Sequence, residues 1–128
     1  MEPLRPKADR KEGAALMSEA EAGFLAENFI GRLATVSLDG QPHVVPVAYR
    51  FDGTSISFGG WNLTKSLKFR NLASNPKVSL VVDEIVSTRP WRVRGVEVKG
   101  IAELVNEEGG NVYVRISPKR VSSWGLEN

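Results

Sequence analysis

Residues 34–58 read ATVSLDGQPHVVPVAYRFDGTSISF, and the spacing of apolar side chains in this stretch sets the fold class. Ala34, Val36 and Leu38 alternate with Thr35 and Ser37, the period-two pattern of a strand with one covered face. Asp39-Gly40 follows, a pair suited to tight hairpin turns because both residues tolerate the positive φ those turns demand. In the returning segment Val45, Val47, Tyr49 and Phe51 share one face, and Val44, Pro46, Ala48 and Arg50 share the other. A second Asp-Gly pair, Asp52-Gly53, leads into Ser55 to Phe58, so the pattern predicts a three-strand meander. Proline cannot donate a ladder hydrogen bond, so Pro46 is expected at an edge or an interruption, with backbone groups free for another partner.

Upstream, Ser18 and Glu21 form a capping box ahead of Ala22, Leu25, Ala26 and Phe29, which predicts an amphipathic helix over about 18–28 with Gly31 beyond its end. Residues 1–16 are rich in proline and charge and are expected to be a flexible tail, leaving 17–128 as one domain. Downstream, Thr64 is expected to cap a second helix reaching Ser74, with Leu63, Leu67 and Leu72 inward and Asn75-Pro76 stopping it. Val78, Leu80 and Val82 then alternate, and a loop is expected over Ser87 to Arg94. Val96, Val98, Gly100, Ala102 and Leu104 form one side of a long strand, Glu107 to Asn111 a turn, and Val112, Val114 and Ile116 a last strand. Six strands, two short helices and no βαβ alternation predict a mostly β chain: a closed or nearly closed antiparallel barrel.

Composition narrows the chemistry. The 128 residues contain no cysteine, which excludes disulfides, thiolate nucleophiles and thiol redox pairs; any redox chemistry has to be carried by a bound group. His43 is the single histidine and no nucleophile elbow accompanies it, so neither a catalytic triad nor a histidine-rich metal site is expected. Net charge is +2, with 17 Lys+Arg spread along the chain, which does not suggest a nucleic-acid surface. No apolar run approaches the roughly 18 residues of a membrane span, and the first residues lack a signal-peptide core, so a cytoplasmic protein is expected.

The chemically informative segment is Gly59-Gly60-Trp61-Asn62-Leu63-Thr64-Lys65-Ser66-Leu67-Lys68-Phe69-Arg70. Two glycines end a strand shortly before a helix begins, which gathers backbone N–H groups and the positive helix end at one spot suited to an anion. Lys65 and Lys68, three apart near a helix N-terminus, repel each other and oppose the dipole by about a few tenths of a kcal/mol each; a bound phosphate reverses both signs. A solvated basic face is the alternative reading. In Thr88-Arg89-Pro90-Trp91-Arg92-Val93-Arg94 an aromatic ring flanked by arginines suits either stacking on a planar ligand or a subunit contact. Trp124 either closes the barrel or covers a ligand.

Over about residues 18–127 the order of elements and these residues resemble the pyridoxamine-phosphate-oxidase-like split β-barrel flavoproteins. Ile56 to Pro76 resembles the family's cofactor-phosphate segment, and Gly31 to Val36 with Val44 to Val47 its first hairpin. Asp83 to Gly95 and Arg120 to Glu127 are similar to a branch that uses the deazaflavin coenzyme F420. The family's serine, arginine and lysine phosphate set falls on Ser66, Leu67 and Lys68; the arginine is missing, and Lys65 stands nearby. The resemblance further implies cofactor contacts from Trp61 and Asn62 with Gly60, from the backbone of Val45, Pro46 and Val47, and from Arg50, with Trp91, Arg92 and Trp124 approaching the ring from the partner in a homodimer. The activity it implies is hydride transfer between F420 and a small or medium organic substrate, with FMN as the alternative cofactor and Tyr49, Ser57 or solvent as proton donor. A non-catalytic FMN, F420 or haem carrier or sensor, and an FMN-dependent oxidase of the family type, are the competing readings.

Overall fold

The computed structural model describes residues 16–59 and 63–126. Helix α1 spans Glu19–Glu27 and begins as its sequence demands: the Glu21 N–H donates to Ser18 Oγ (3.1 Å) and the Ser18 N–H to Glu21 Oε1 (2.8 Å). Its buried residues are Glu21, Phe24 and Leu25. Phe29 lies past the helix end and is 73% exposed, contrary to the expected stripe. Asn28, not Gly31, caps the C-terminus. Gly31 sits inside the first strand, where a Cβ would lie 2.9 Å from Leu80 Cδ1.

Seven strands follow: β1 (Ile30–Val36), β2 (Pro42–Ala48), β3 (Arg50–Phe51), β4 (Ile56–Phe58), β5 (Lys77–Thr88), β6 (Trp91–Asn106) and β7 (Val112–Trp124). They form one antiparallel sheet in the order β2-β1-β5-β6-β7-β4-β3. β2 and β3 occupy opposite edges of that sheet, yet only Tyr49 separates them in the chain. The sheet therefore curls until its edges meet, giving a split half-barrel of seven strands rather than six. The expected three-strand meander is not formed, because its middle strand is divided. Residues 42–48 pair with β1, whereas Arg50 and Phe51 pair with Ser57 and Ile56 on β4. Tyr49 is the hinge: its N–H donates to the Phe29 carbonyl (2.9 Å) and its hydroxyl to the Leu25 carbonyl (2.7 Å).

The expected loop over 87–94 is instead the tip of the β5–β6 hairpin. Ser87 pairs with Arg92 and Thr88 with Trp91, leaving only Arg89-Pro90 to turn the chain. Its polar residues occupy exposed or half-buried strand positions, which is why composition alone suggests a loop. The interior is filled by Leu25, Leu33, Ile56, Leu80, Val82, Val96, Val98, Val114, Ile116 and Val121, each essentially inaccessible. Burial of one such side chain stabilises by about 1.5–3 kcal/mol. Leu104, expected inward, is 43% exposed.

A 3-10 turn (Leu63–Lys65) precedes helix α2 (Leu67–Ser74). Ser66 caps this helix, in place of the expected Thr64, with its Oγ accepting from the Phe69 N–H (3.2 Å). Leu63 points inward as expected, but Leu67 is 41% exposed and the buried residue of α2 is Asn71. Among the described residues no helix is long and apolar enough to cross a membrane.

Candidate functional site

β2 is an edge strand, and its register shows which of its backbone groups are free. The Tyr49 N–H bonds to Phe29 on the β1 side, and Val47 and Val45, opposite Gly31 and Leu33, keep the same phase. Groups on an antiparallel strand alternate in direction, so those of Val44, Pro46 and Ala48 face away from β1. The N–H that proline lacks is thus one that would have faced outward, and Pro46 breaks no ladder bond.

A cleft of about 510 Å³ opens along this edge, lined by Pro46, Val47, Ala48 and Arg50 from one side and by Ser57 and Lys68 from the other. It brings together four of the expected cofactor residues: Pro46, Val47, Arg50 and Lys68. Val45 is half-buried on the inner face of β2 and does not line it; Lys65 is exposed on the 3-10 turn. The Ser66 hydroxyl is occupied in holding the helix start, since it also donates to the Leu63 carbonyl (2.7 Å). Gly60, Trp61 and Asn62 lie outside the described residues.

Electrostatics give the cleft its character. Arg32, Arg94 and Arg115 are paired with Asp83, Glu84 and Glu103 at 2.9, 2.6 and 3.2 Å. Among the described residues Arg50 and Lys68 have no such partner, and no acid lines their cleft. Two uncommitted cations facing one acid-free cleft favour a bound anion, because each gains a charge-assisted hydrogen bond and their mutual repulsion is offset. The outward N–H of Ala48 and carbonyls of Val44, Pro46 and Ala48 suit the polar rim of a planar ring. The residues present therefore fit a phosphorylated, flavin-like group.

Neighbouring contacts position these donors. Asp52, in the β3–β4 turn, accepts the N–H groups of Ser55 (2.7 Å) and Thr54 (2.9 Å), and those bonds hold its carboxyl well below the usual carboxylate range. The turn sets the short hairpin in which Arg50 pairs with Ser57. Asn71, which pattern reading overlooked, is 3% exposed and donates from Nδ2 to Thr35 Oγ1 (2.9 Å), tying the helix that carries Lys68 to β1. A lone amide on the inner side of a helix was its signal.

Of the two proton-donor side chains, Tyr49 is 4% exposed, its hydroxyl is committed to Leu25, and burial pushes its pKa up to about 12. Ser57 is half-buried and lines the cleft. Trp91 and Arg92 lie elsewhere in the chain, on a second cleft between α1 and the β5–β6 hairpin that shares no residue with the first. Trp124 packs across Gly95, where an added Cβ would lie 2.5 Å from its Cζ2. Among the described residues no cluster of three or more histidines and carboxylates exists to hold a metal ion.

Comparison with known proteins places this geometry. A family model for pyridoxamine 5'-phosphate oxidase matches residues 17–125. A 5a,11a-dehydrotetracycline/5a,11a-dehydrooxytetracycline reductase of Streptomyces rimosus is 37% identical over 120 residues, 86% of this chain and 84% of the relative. Among solved structures, an F420 reductase superposes with a TM-score of 0.69 at 25% identity, over 83% of this chain and 98% of that one. A FAD-binding protein of Mesorhizobium loti does so with a TM-score of 0.69 at 27% identity, over 84% and 92%. Curled sheet, matched residues and related sequences agree: the chain belongs to the pyridoxamine 5'-phosphate oxidase family, with its split-barrel fold.

Proposed function

We propose that the chain is an oxidoreductase that binds the deazaflavin coenzyme F420 and transfers a hydride between it and a conjugated organic substrate. The observation that carries this reading is 37% identity, across 84% of its length, to a reductase of dehydrotetracyclines. Likeness to an F420 reductase supports the choice of cofactor, and the acid-free cleft with Arg50 and Lys68 supports a phosphorylated one.

Bound there, the cofactor would supply the hydride, so the chain needs no nucleophile of its own. Lys68 and Arg50 hold the anionic group, with Lys65, Ser66 and the Gly60-Trp61-Asn62 segment beside them in sequence. The free edge of β2 orients the ring rim through Pro46 and Ala48, while Val47, with Val45 behind it, keeps water from one side. Ser57, or a water it holds, delivers the proton that completes addition across a polarised double bond. The same reading makes the working unit a cytoplasmic homodimer with cofactor sites near the interface. Exposed apolar side chains at the β5–β6 hairpin, Ile85, Val86, Trp91 and Val93, support a protein contact there.

Titration with F420 and separately with FMN, followed by tryptophan fluorescence, tests the cofactor. Micromolar F420 binding at least about tenfold tighter than FMN, a difference of about 1.4 kcal/mol, is the expected result. A preference for FMN or FAD overturns it in favour of a flavin-binding protein, a reading supported by the FAD-binding neighbour. Reoxidation of reduced F420 by a conjugated enone then separates an enzyme from a carrier, and sedimentation gives the oligomeric state.

A further inference from the structure

Helix α2 brings Lys68 to the cleft, yet little apolar surface holds that helix in place. Of its residues only Asn71 is buried; Phe69 and Leu72 are half-buried, and Leu67 is 41% exposed. An amphipathic helix is ordinarily oriented by its apolar stripe. Here the innermost position is taken by an amide, and a buried amide costs free energy unless it is hydrogen-bonded. Asn71 Nδ2 donates to Thr35 Oγ1 at 2.9 Å, and Thr35 is itself fully buried. Among the described residues this is the one side-chain hydrogen bond that runs from α2 to a strand.

Thr35 belongs to β1, which pairs with β2 from Ile30 opposite Ala48 to Val36 opposite Pro42. Lys68 lies three positions before Asn71, so the two share one side of the helix. One bond therefore fixes the stem of the lysine relative to the strand that carries Pro46 and Ala48 on the opposite wall of the cleft. Apolar contacts are non-directional and let a helix roll, whereas a hydrogen bond is directional and resists it. Arg50 and Lys68 repel each other across an acid-free cleft, and a rolling helix would carry the lysine away.

We propose that Asn71 and Thr35 are positioning residues, which place Lys68 for a phosphate that it shares with Arg50. Neither lines the cleft, so neither touches the ligand. The inference rests on the reading that this cleft holds a phosphorylated cofactor, and it puts the control of affinity at a buried bond outside the contact surface. A site held in its binding geometry before the ligand arrives loses less on binding.

Replacing both partners of a buried hydrogen bond by apolar groups of similar shape leaves stability nearly unchanged, so Thr35→Val/Asn71→Leu separates placement from folding. Its Tm is expected within about 3 °C of wild type, while F420 binding in a fluorescence titration weakens about tenfold. Thr35→Ser keeps the acceptor oxygen and is expected to hold affinity within about twofold, where Thr35→Val alone does not. In the paired variant Lys68→Ala is expected to weaken binding by a further threefold or so at most, roughly the residue of a coupled pair, because a misplaced lysine contributes less. Titration with inorganic phosphate, followed through the amide resonances of Arg50 and Lys68, repeats the comparison without the cofactor. Unchanged affinity in the paired variant, a full effect of Lys68→Ala in that background, or a Thr35→Ser protein that binds no better than Thr35→Val each overturns the proposal. Loss of phosphate affinity in the paired variant of a protein that binds no F420 supports the positioning role and overturns the cofactor reading instead.

Discussion

Lys68 and Arg50 have no partner among the described residues, and that sets what their loss should do. A hydrogen bond to a charged group contributes about 1.5–3 kcal/mol. Lys68→Ala is therefore expected to weaken F420 binding roughly 10- to 100-fold in a fluorescence titration while leaving Tm within about 1 °C, because no bond in the free protein is lost. A fall in Tm matching the fall in affinity would mean that the lysine holds the helix and not the cofactor. Tyr49 behaves oppositely, since its function is structural. An unfolded tyrosine ionises near 10.0 and the buried one near 12, so its contribution is intact below pH 10 and fades as pH rises through 12, by about 3 kcal/mol. Tyr49→Phe should cost about 1–2 kcal/mol at pH 8, where the Leu25 carbonyl loses its donor, and the gap from wild type should narrow by pH 11.5 in urea unfolding. At this scale the spacing from Lys65 near a helix start drew attention to Lys68, whereas Arg50 came only from the family resemblance, and that the two share one cleft was not legible. The sequence showed Glu21 as a capping residue but not its burial, nor the role of Asn71, because the bonds from Ser123 Oγ to Glu21 Oε2 and from Asn71 Nδ2 to Thr35 Oγ1 join residues 102 and 36 apart.

The start of α2 shows how a cap can be mistaken. Thr64 and Ser66 are both good caps by residue type, and only the three-dimensional path shows that 63–65 form a separate 3-10 turn. Ser66→Ala removes the acceptor for the Phe69 N–H and should lower stability by about 1 kcal/mol. Its effect on F420 affinity is expected to be smaller than that of Lys68→Ala, since the hydroxyl already serves Leu63 and Phe69; an equal or larger loss would return Ser66 to the phosphate set. Hairpins were the most legible elements. Asp39-Gly40 marked the β1–β2 hairpin and alternation marked its strands, but the covered face of β1 is Gly31, Leu33 and Thr35, not the Ala34, Val36 and Leu38 face, and Leu38 is 88% exposed beyond the strand end. The β5–β6 tip was illegible for a related reason: its side chains are largely solvent-exposed, so no alternation marks it as strand.

At the scale of the molecule the decisive event is the break at Tyr49, where one run of alternating residues leaves one edge of the sheet and joins the other. Nothing local marks it, for Val45, Val47, Tyr49 and Phe51 keep period two throughout; the division is imposed by which strands lie within bonding reach. The break leaves the outer edge of β2 open, and this gives the fold a cofactor edge as well as a core. Backbone amides report it directly. Val45 and Val47 face β1 and should exchange slowly with or without ligand, whereas Val44 and Ala48 face outward and should exchange fast in the free protein. Saturating F420 is expected to slow the Ala48 amide by at least about tenfold, as a new bond to the ring rim closes it off, and Lys68→Ala should reduce that protection in step with affinity. Protection spread evenly over both sets of amides would mean that the ligand tightens the whole barrel. Protection of Ala48 and Val44 alone would mean that the edge opened by the turn at Tyr49 is where the ring lies.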